Sequence, residues 1–369
     1  MMDKNSVLAK ELEKRNLPDL LTAEDGERVS TVEGWESDLR PYWKNVLLKH
    51  CYGTTPPLIE PEIETQTNII DFAGKAVWET VSFTFTVNGK KHTVPTQLIA
   101  PVGAKNVPFF IYLNFRPDIP DRYLPVEEII DNGFGIFSVC YEDVTSDNVD
   151  FTNGLAGLFE GETRPLHGTG KIRYWAYMAS RMMDYLLTRD EADKTIIAVA
   201  GHSRLGKTAL LTAALDERFA FVCSNDSGCS GAALTRGRCE GGETVSRICQ
   251  AFPHWFAPFY QTYVGKEDTM PFDQHVLLAL SAPRKVFVGG AIEDVWADND
   301  SQFLSCVAAS KIWDLYGKVG IICPDRLPVV GDVWTDGGVG FHLRAGKHYH
   351  SRSDWLIYMD AVKKAFGLQ

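Results

Sequence analysis

The sequence predicts an α/β fold, a mostly parallel, doubly wound sheet with helices on both faces and an antiparallel hairpin ahead of it. Three observations carry this. Apolar β-branched runs alternate with helical stretches from residue 107 to residue 366, the pattern of repeated strand–helix–strand units. Residues 78–100 alternate with period two around Asn88-Gly89, the strongest short hairpin signal, and read as a hairpin at one edge of the sheet. Residues 195–200 read as a buried strand, Gly201-His202-Ser203 as a tight turn and residues 204–215 as a helix, so a serine sits at a strand-to-helix corner.

In chain order, residues 1–70 read as a helical extension packed on a main domain of residues 71–369. Val7, Leu8, Leu12, Leu17, Leu20 and Leu21 have helical spacing there, and Trp35, Tyr42 and Trp43 follow. Residues 107–113 form a buried strand ending in Asn114-Phe115-Arg116, and residues 134–141 another ending in Glu142-Asp143. A helix over 171–187 precedes the serine corner. Residues 219–224 are the next strand, ending at Asp226. A short helix over 274–282 leads to a strand over 285–290, which ends in Glu293-Asp294-Val295-Trp296. A helix over 303–316, a long loop carrying His342 and His348, and a closing helix over 354–366 complete the chain. Ligands of such sheets sit outside the carboxyl ends of the strands, where Asn114, Glu142, Ser203, Asp226 and Asp294 all fall.

The corner is a nucleophile elbow, and the chain supplies nucleophile, acid and histidine in the order found in α/β-hydrolases. Ser203 is the candidate nucleophile. The second glycine of the usual G-x-S-x-G comes one residue late, at Gly206. Arg204 and Lys207 place two cations in the first helical turn, at a cost of about 0.3–1 kcal/mol each against the helix dipole, which is understandable if they face an anion. His348, just before the closing helix, fits best as base, with His350 and His342 as rivals. Asp226 and Asp294 both qualify as the acid that orients it. The later strand favours Asp294, and Glu293 is a neighbour that could substitute. The backbone N–H and guanidinium of Arg204 are candidate oxyanion donors, and Asn114 and Phe115 lie where a second oxyanion loop belongs. Phe252, Trp255 and Phe256 offer either a sugar platform or plain core, and Trp296 is the better pocket aromatic.

The 369 residues are 45% hydrophobic and 23% charged, long enough for a large core, with a net charge of −11 that offers no basic face to nucleic acid. No window is apolar enough to span a membrane. The start, Met1-Met2-Asp3-Lys4-Asn5-Ser6, lacks an apolar leader. The eight cysteines are scattered without metal-site spacing. A cytoplasmic protein with reduced thiols and no metal or cofactor is the expectation, and the oligomeric state is left open.

Several stretches resemble the glucuronoyl esterases, carbohydrate esterase family 15. They are Gly201-His202-Ser203-Arg204-Leu205-Gly206-Lys207, Asn225-Asp226-Ser227-Gly228-Cys229, Gly242-Glu243-Thr244-Val245, Phe252-Pro253-His254-Trp255-Phe256, Asp294-Val295-Trp296 and Arg344-Ala345-Gly346-Lys347-His348. The resemblance covers roughly residues 100–365. It implies Ser203 as nucleophile, Arg204 as oxyanion stabiliser, Lys207 as a binder of uronate hydroxyls, His348 as base, and an acid at Asp226 or Asp294. It also implies Glu243 and Trp296 as pocket residues. The expected activity is that of a serine esterase on a small-molecule or oligosaccharide ester of a uronic acid. The rivals are a carbohydrate O-acetyl esterase and a catalytically silent binding protein of the same fold.

Overall fold

Among the residues described by the computed structural model (6–23, 26–160 and 163–368), ten strands form one sheet. They are β1 (Glu62–Asp71), β2 (Ala76–Val87), β3 (Lys90–Pro101), β4 (Val107–Asn114) and β5 (Gly135–Cys140), then β6 (Ala192–His202), β7 (Phe221–Asn225), β8 (Lys285–Ala291), β9 (Val333–Trp334) and β10 (Val339–Arg344). Their spatial order is β1-β2-β3-β5-β4-β6-β7-β8-β10-β9. From β5 to β10 every pairing is parallel. β1, β2 and β3 pair antiparallel, as β3 does with β5 and β9 with β10.

The parallel strands are apolar on both faces because helices cover both. On β4, Phe109, Ile111 and Leu113 join one core cluster with the helices Lys171–Leu186, Arg204–Leu215 and Asn299–Ala309. Phe110 and Tyr112 point the other way, into a second cluster with Val126, Ile129, Trp355 and Tyr358. The β2–β3 turn follows its sequence signal: Asn88 and Gly89 have φ of 50° and 78°, the two positive values a type I′ turn requires.

Four expectations change. The stretch 1–70 is not all helical, because Glu62–Asp71 is a strand. The β2–β3 hairpin therefore does not form the edge; β1 lies outside it. Its residues Glu-Ile-Glu-Thr-Gln alternate weakly and stay in solvent, with Ile63, Ile69 and Ile70 exposed, so no buried face marks the strand in the sequence. His342 is not on a loop. It lies on β10, whose Gly338 and Gly340 neighbourhood reads as a loop, although a Cβ at either would come within 2.3 Å of Trp313 or Phe287. The helix over 303–316 is two helices, Asn299–Ala309 and Lys311–Leu315.

The helical part of the extension buries Trp35, Leu39, Trp43 and Leu47 in the same cluster as the helix Lys171–Leu186. Residues 1–5, on which the reading of a leader rests, lie outside the described residues. Among the described residues no helix is long and apolar enough to cross a membrane, and all eight cysteines are free thiols.

Candidate active site

β6 ends at His202, and the chain reverses into the helix Arg204–Leu215 through Ser203, whose backbone is held at φ 58°, ψ −127°. That conformation costs a non-glycine residue about 1–3 kcal/mol and persists only where its surroundings enforce it. Here the Ser203 N–H donates to the Asn225 carbonyl at 2.8 Å, and the Lys207 N–H donates to the Ser203 carbonyl at 3.1 Å. Gly201 is required because a Cβ would lie 2.2 Å from the Leu205 carbonyl oxygen. Gly206 falls where the helix passes over the next strand end, 3.0 Å from the Asn225 carbonyl oxygen by the same measure. Position 205 is taken by a fully buried leucine of the main core, which is why the second glycine is late.

Ser203 opens onto a cavity of about 350 Å³, also lined by Arg204, Lys207, Asp226, Glu243, Asp294, Trp296 and His348. The His348 Nδ1 lies 2.6 Å from Asp294 Oδ2, and the imidazole is half exposed while the carboxylate is buried. The rivals are elsewhere. His342 is buried and its Nε2 meets Asp354 at 2.8 Å, whereas His350 is buried with Nδ1 3.0 Å from the Tyr112 hydroxyl. Glu293 is exposed beside Asp294, and Glu142 starts a short helix away from the cavity lining.

The two candidate acids differ in their surroundings. Asp226 Oδ1 accepts the Ala291 N–H at 2.9 Å, and Oδ2 is buried without a hydrogen-bond partner among the described residues, with Arg344 Nη2 3.7 Å away. Burial, then the charges of Asp294 and Asp354, hold the Asp226 carboxyl well above the usual carboxylate range. That environment disfavours an anion at Asp226, whereas Asp294 sits in hydrogen-bond contact with the ring. Asp226, Asp294 and His348 each bring one polar atom to within 4.8 Å of the others. Two carboxylates and one imidazole is also a donor set a divalent cation accepts, but the short Asp294–His348 contact is the one a general base needs.

Neither first-turn cation is left for a ligand alone. Lys207 is buried and donates to the carbonyls of Ser227 and, at 2.7 Å, Cys229, while Glu243 Oε2 lies 3.9 Å away. Burial lowers its pKa, and Glu243 opposes that shift. The Arg204 guanidinium is ion-paired with Asp147 and packs over Trp255, 4.7 Å from the ring centroid, and over Phe252 at 5.4 Å. Those two rings stack at 3.8 Å and 1°, so the aromatic cluster braces Arg204. Among the described residues Arg204 Nε is buried with no hydrogen-bond partner.

Sequence reasoning missed Asp147. It is buried, pairs with Arg204, and accepts from His254 Nε2 (2.8 Å), Trp255 Nε1 (2.6 Å) and the Tyr141 hydroxyl (3.0 Å). Burial alone would raise its pKa. The His254 hydrogen bond, the Arg204 charge and the Trp255 N–H outweigh that and hold it well below the usual range. It lies in a polar loop with no periodicity, and all of these partners except Tyr141 are more than fifty residues away. The only local hint is the neighbouring His254-Trp255 pair. Arg247, also missed, lines the cavity with its guanidinium 5.8 Å from the Trp296 ring centroid.

Asn114 is corrected. It is fully buried at the end of β4 and outside the cavity lining. Its Nδ2 donates to Asp121 at 2.9 Å, and its Oδ1 accepts the Phe115 N–H at 2.8 Å. The side chain thus shapes the loop, and the Phe115 N–H that could have served a second oxyanion loop is already engaged.

A strained serine, a carboxylate-held histidine and two cations, one of them buried, in one cavity are the parts of an acyl-transfer site, and known proteins with the same arrangement of chain can be named. The family model "Glucuronyl esterase, fungi" matches residues 83–317. A carbohydrate esterase from an unknown prokaryotic organism is 32% identical, over 94% of this chain and 89% of its own. The 4-O-methyl-glucuronoyl methylesterase of Schizophyllum commune is 28% identical, over 82% of this chain and 74% of its own. The glucuronoyl esterase of Solibacter usitatus superposes with a TM-score of 0.88 at 31% identity, over 94% of this chain and 97% of that one. With more than half of its length matched by the family model and a relative above 30% identity spanning nearly all of it, the chain belongs to the glucuronoyl esterase family, carbohydrate esterases of the α/β-hydrolase fold.

Proposed function

We propose that the chain is a serine esterase that hydrolyses esters of glucuronic acid, 4-O-methyl-glucuronate above all. The observation that carries this is the cavity that Ser203, the Asp294-held His348 and the cations Arg204 and Lys207 line together. A serine and a held histidine supply acyl transfer, and the cations suit the developing oxyanion and the uronate carboxylate that is released.

In this mechanism His348 Nε2 takes the hydroxyl proton as Ser203 Oγ attacks the ester carbonyl carbon. The electron pair of the C=O bond moves to oxygen. The Arg204 backbone N–H and guanidinium are the donors that meet that charge. Asp294 accepts the Nδ1 proton's hydrogen bond and steadies the imidazolium. The ester C–O bond then breaks, and the imidazolium protonates the leaving alcohol. Water attacks the acyl-enzyme, gives a proton to His348, and expels Ser203 Oγ, which takes that proton back. Glucuronic acid leaves. Lys207 and Glu243 contact the sugar hydroxyls, and Trp296, 47% exposed at the rim, covers the apolar ring face.

The test is hydrolysis of methyl glucuronate beside an acetylated xylo-oligosaccharide, for wild type and Ser203→Ala. Turnover of the uronate ester, reduced at least about 10³-fold in a folded Ser203→Ala, is expected. A near-normal rate in that variant would end the proposal. Turnover of the acetate alone would keep the serine chemistry, move the function to deacetylation and remove Lys207 from its role.

A further inference from the structure

A second cavity, of about 240 Å³, lies at the seam between residues 55–58 and the helices Lys171–Leu186 and Arg204–Leu215. It is lined at the far end of the helix that begins after Ser203, by Thr212, Leu215 and Asp216, roughly 18 Å along the axis from the serine. It shares no lining residue with the catalytic cavity.

Its polar lining comes from Thr55, Arg173, Ser180, Arg181, Thr212 and Asp216. Arg173 is the unusual member. It is 7% exposed, and among the described residues no carboxylate pairs with it and no group accepts a hydrogen bond from its guanidinium. The nearest charge effects on it come from Tyr177, Tyr174 and another cation, Arg181, after burial itself. Burial pushes its pKa down to about 10, which still leaves it charged near neutral pH. The acids around it are engaged elsewhere. Arg218 Nε and Nη2 hold Asp216 at 2.8 and 2.7 Å, and Asp184 pairs with Arg218 at 2.6 Å and with Arg181 at 3.1 Å. Arg181 Nε is itself buried without a partner.

A buried guanidinium is expensive unless something anionic meets it, and its planar fork suits an oxyanion. Arg173, Tyr177 and Arg181 follow at four-residue steps on one helix face, so both cations look toward the same space. Tyr177 also ties down the crossing segment, its hydroxyl accepting the Ile59 N–H at 2.9 Å. We propose that Arg173 and Arg181 form a binding site for a small oxyanion, which pins residues 55–58 against the two helices and is separate from the catalytic cavity.

The probes are inorganic phosphate and glucuronate, each titrated at constant ionic strength against chloride. Thermal unfolding and calorimetry are read for wild type, Arg173→Met and Arg181→Gln. Wild type is expected to show saturable binding to at least one, with a Tm rise of about 2 °C at ten times Kd. A response to phosphate alone assigns a phosphate site, and a response to both a general oxyanion site. Arg173→Met should lose the response, unfold no lower than wild type in chloride and keep the wild-type esterase rate. Arg181→Gln should weaken binding by about tenfold. No saturable response in wild type, or an unchanged response in Arg173→Met, overturns the proposal. Should Arg173→Met not fold, proteolysis of wild type decides: cleavage within residues 54–60 slowed severalfold by the bound probe supports the site, and an unchanged rate refutes it.

Discussion

At the scale of single residues, what distinguishes Asp294 from Asp226 is what each carboxyl group meets. Both lie beside His348, but Asp226 spends Oδ1 on the Ala291 N–H and its pKa is raised by burial, whereas Asp294 meets the imidazole Nδ1 at 2.6 Å. The expected result is asymmetric. Asp294→Asn should lower kcat on methyl glucuronate by about 10²–10⁴-fold, because the ring loses the anion that fixes its tautomer and steadies its charge. Asp226→Asn keeps an acceptor for the Ala291 N–H and should cost less than about tenfold. Steady-state kinetics of the two variants decide it, and a loss as large in Asp226→Asn would reverse the assignment. Asp147 belongs to the same scale: it is a positioning residue, touching no proposed reacting atom but holding the guanidinium that does. Asp147→Asn frees Arg204 from the only anion that pairs with it among the described residues while keeping the shape. It should lower kcat more than it raises KM, since an oxyanion donor acts in the transition state.

At the scale of elements, the elbow is made by contacts between backbones, and its two glycines differ in what they tolerate. Gly201→Ala drives a Cβ into the Leu205 carbonyl and should unfold the corner, with a stability loss of more than about 2 kcal/mol and no esterase activity. Gly206→Ala meets only a 3.0–3.1 Å approach to Asn225 and Ser227, gains helix propensity of about 1 kcal/mol, and should stay within about 1 kcal/mol of wild type. Chemical denaturation of both variants checks this, and equal losses would contradict it. The elbow, β4 to β8 and the acid–histidine pair are legible in the sequence because each depends on a local signal: a buried apolar run, a Gly-x-Ser corner, a carboxylate just past a strand. β1 gives no such signal, since its residues stay in solvent, and β10 hides behind glycines that exist to admit Trp313 and Phe287. Asp147 and the seam around Arg173 depend on partners far along the chain. Asn114 shows the converse: its position at a strand end was legible, but not that its side chain would turn back to its own loop.

At the scale of the whole molecule, the two-sided burial that fixes the strand ends also traps ionisable groups, and their protons tie folding to pH. His202, His275 and His350 are fully buried, and burial pushes all three down, His275 to about 3 and His350 to about 4. A histidine with a depressed folded pKa contributes stability above its unfolded value of about 6.5 and loses it as pH falls toward the folded value. For His350 the fall to about 4 corresponds to roughly 3 kcal/mol, spread between about pH 6.5 and pH 4. Asp226, raised, works in the opposite sense: its contribution is full below the unfolded carboxylate value and fades as pH rises. Asp147 and Asp354, both lowered, matter only as pH falls below about 4. Between pH 6.5 and 4.5 the Tm therefore reflects the buried histidines against the raised carboxyls of Asp226, Asp273, Asp143 and Asp300, and a single variant isolates one of the histidines. His350→Gln keeps an acceptor near the Tyr112 hydroxyl but has no proton to gain. Its Tm should start below that of wild type at pH 7, where the stacking of His350 on Trp355 is lost, and should fall less steeply on acidification. The gap between the two proteins should narrow by several degrees at pH 4.5 in calorimetry. Parallel curves would mean that His350 keeps an ordinary pKa in the fold, and the acid sensitivity would then have to reside in His202 and His275.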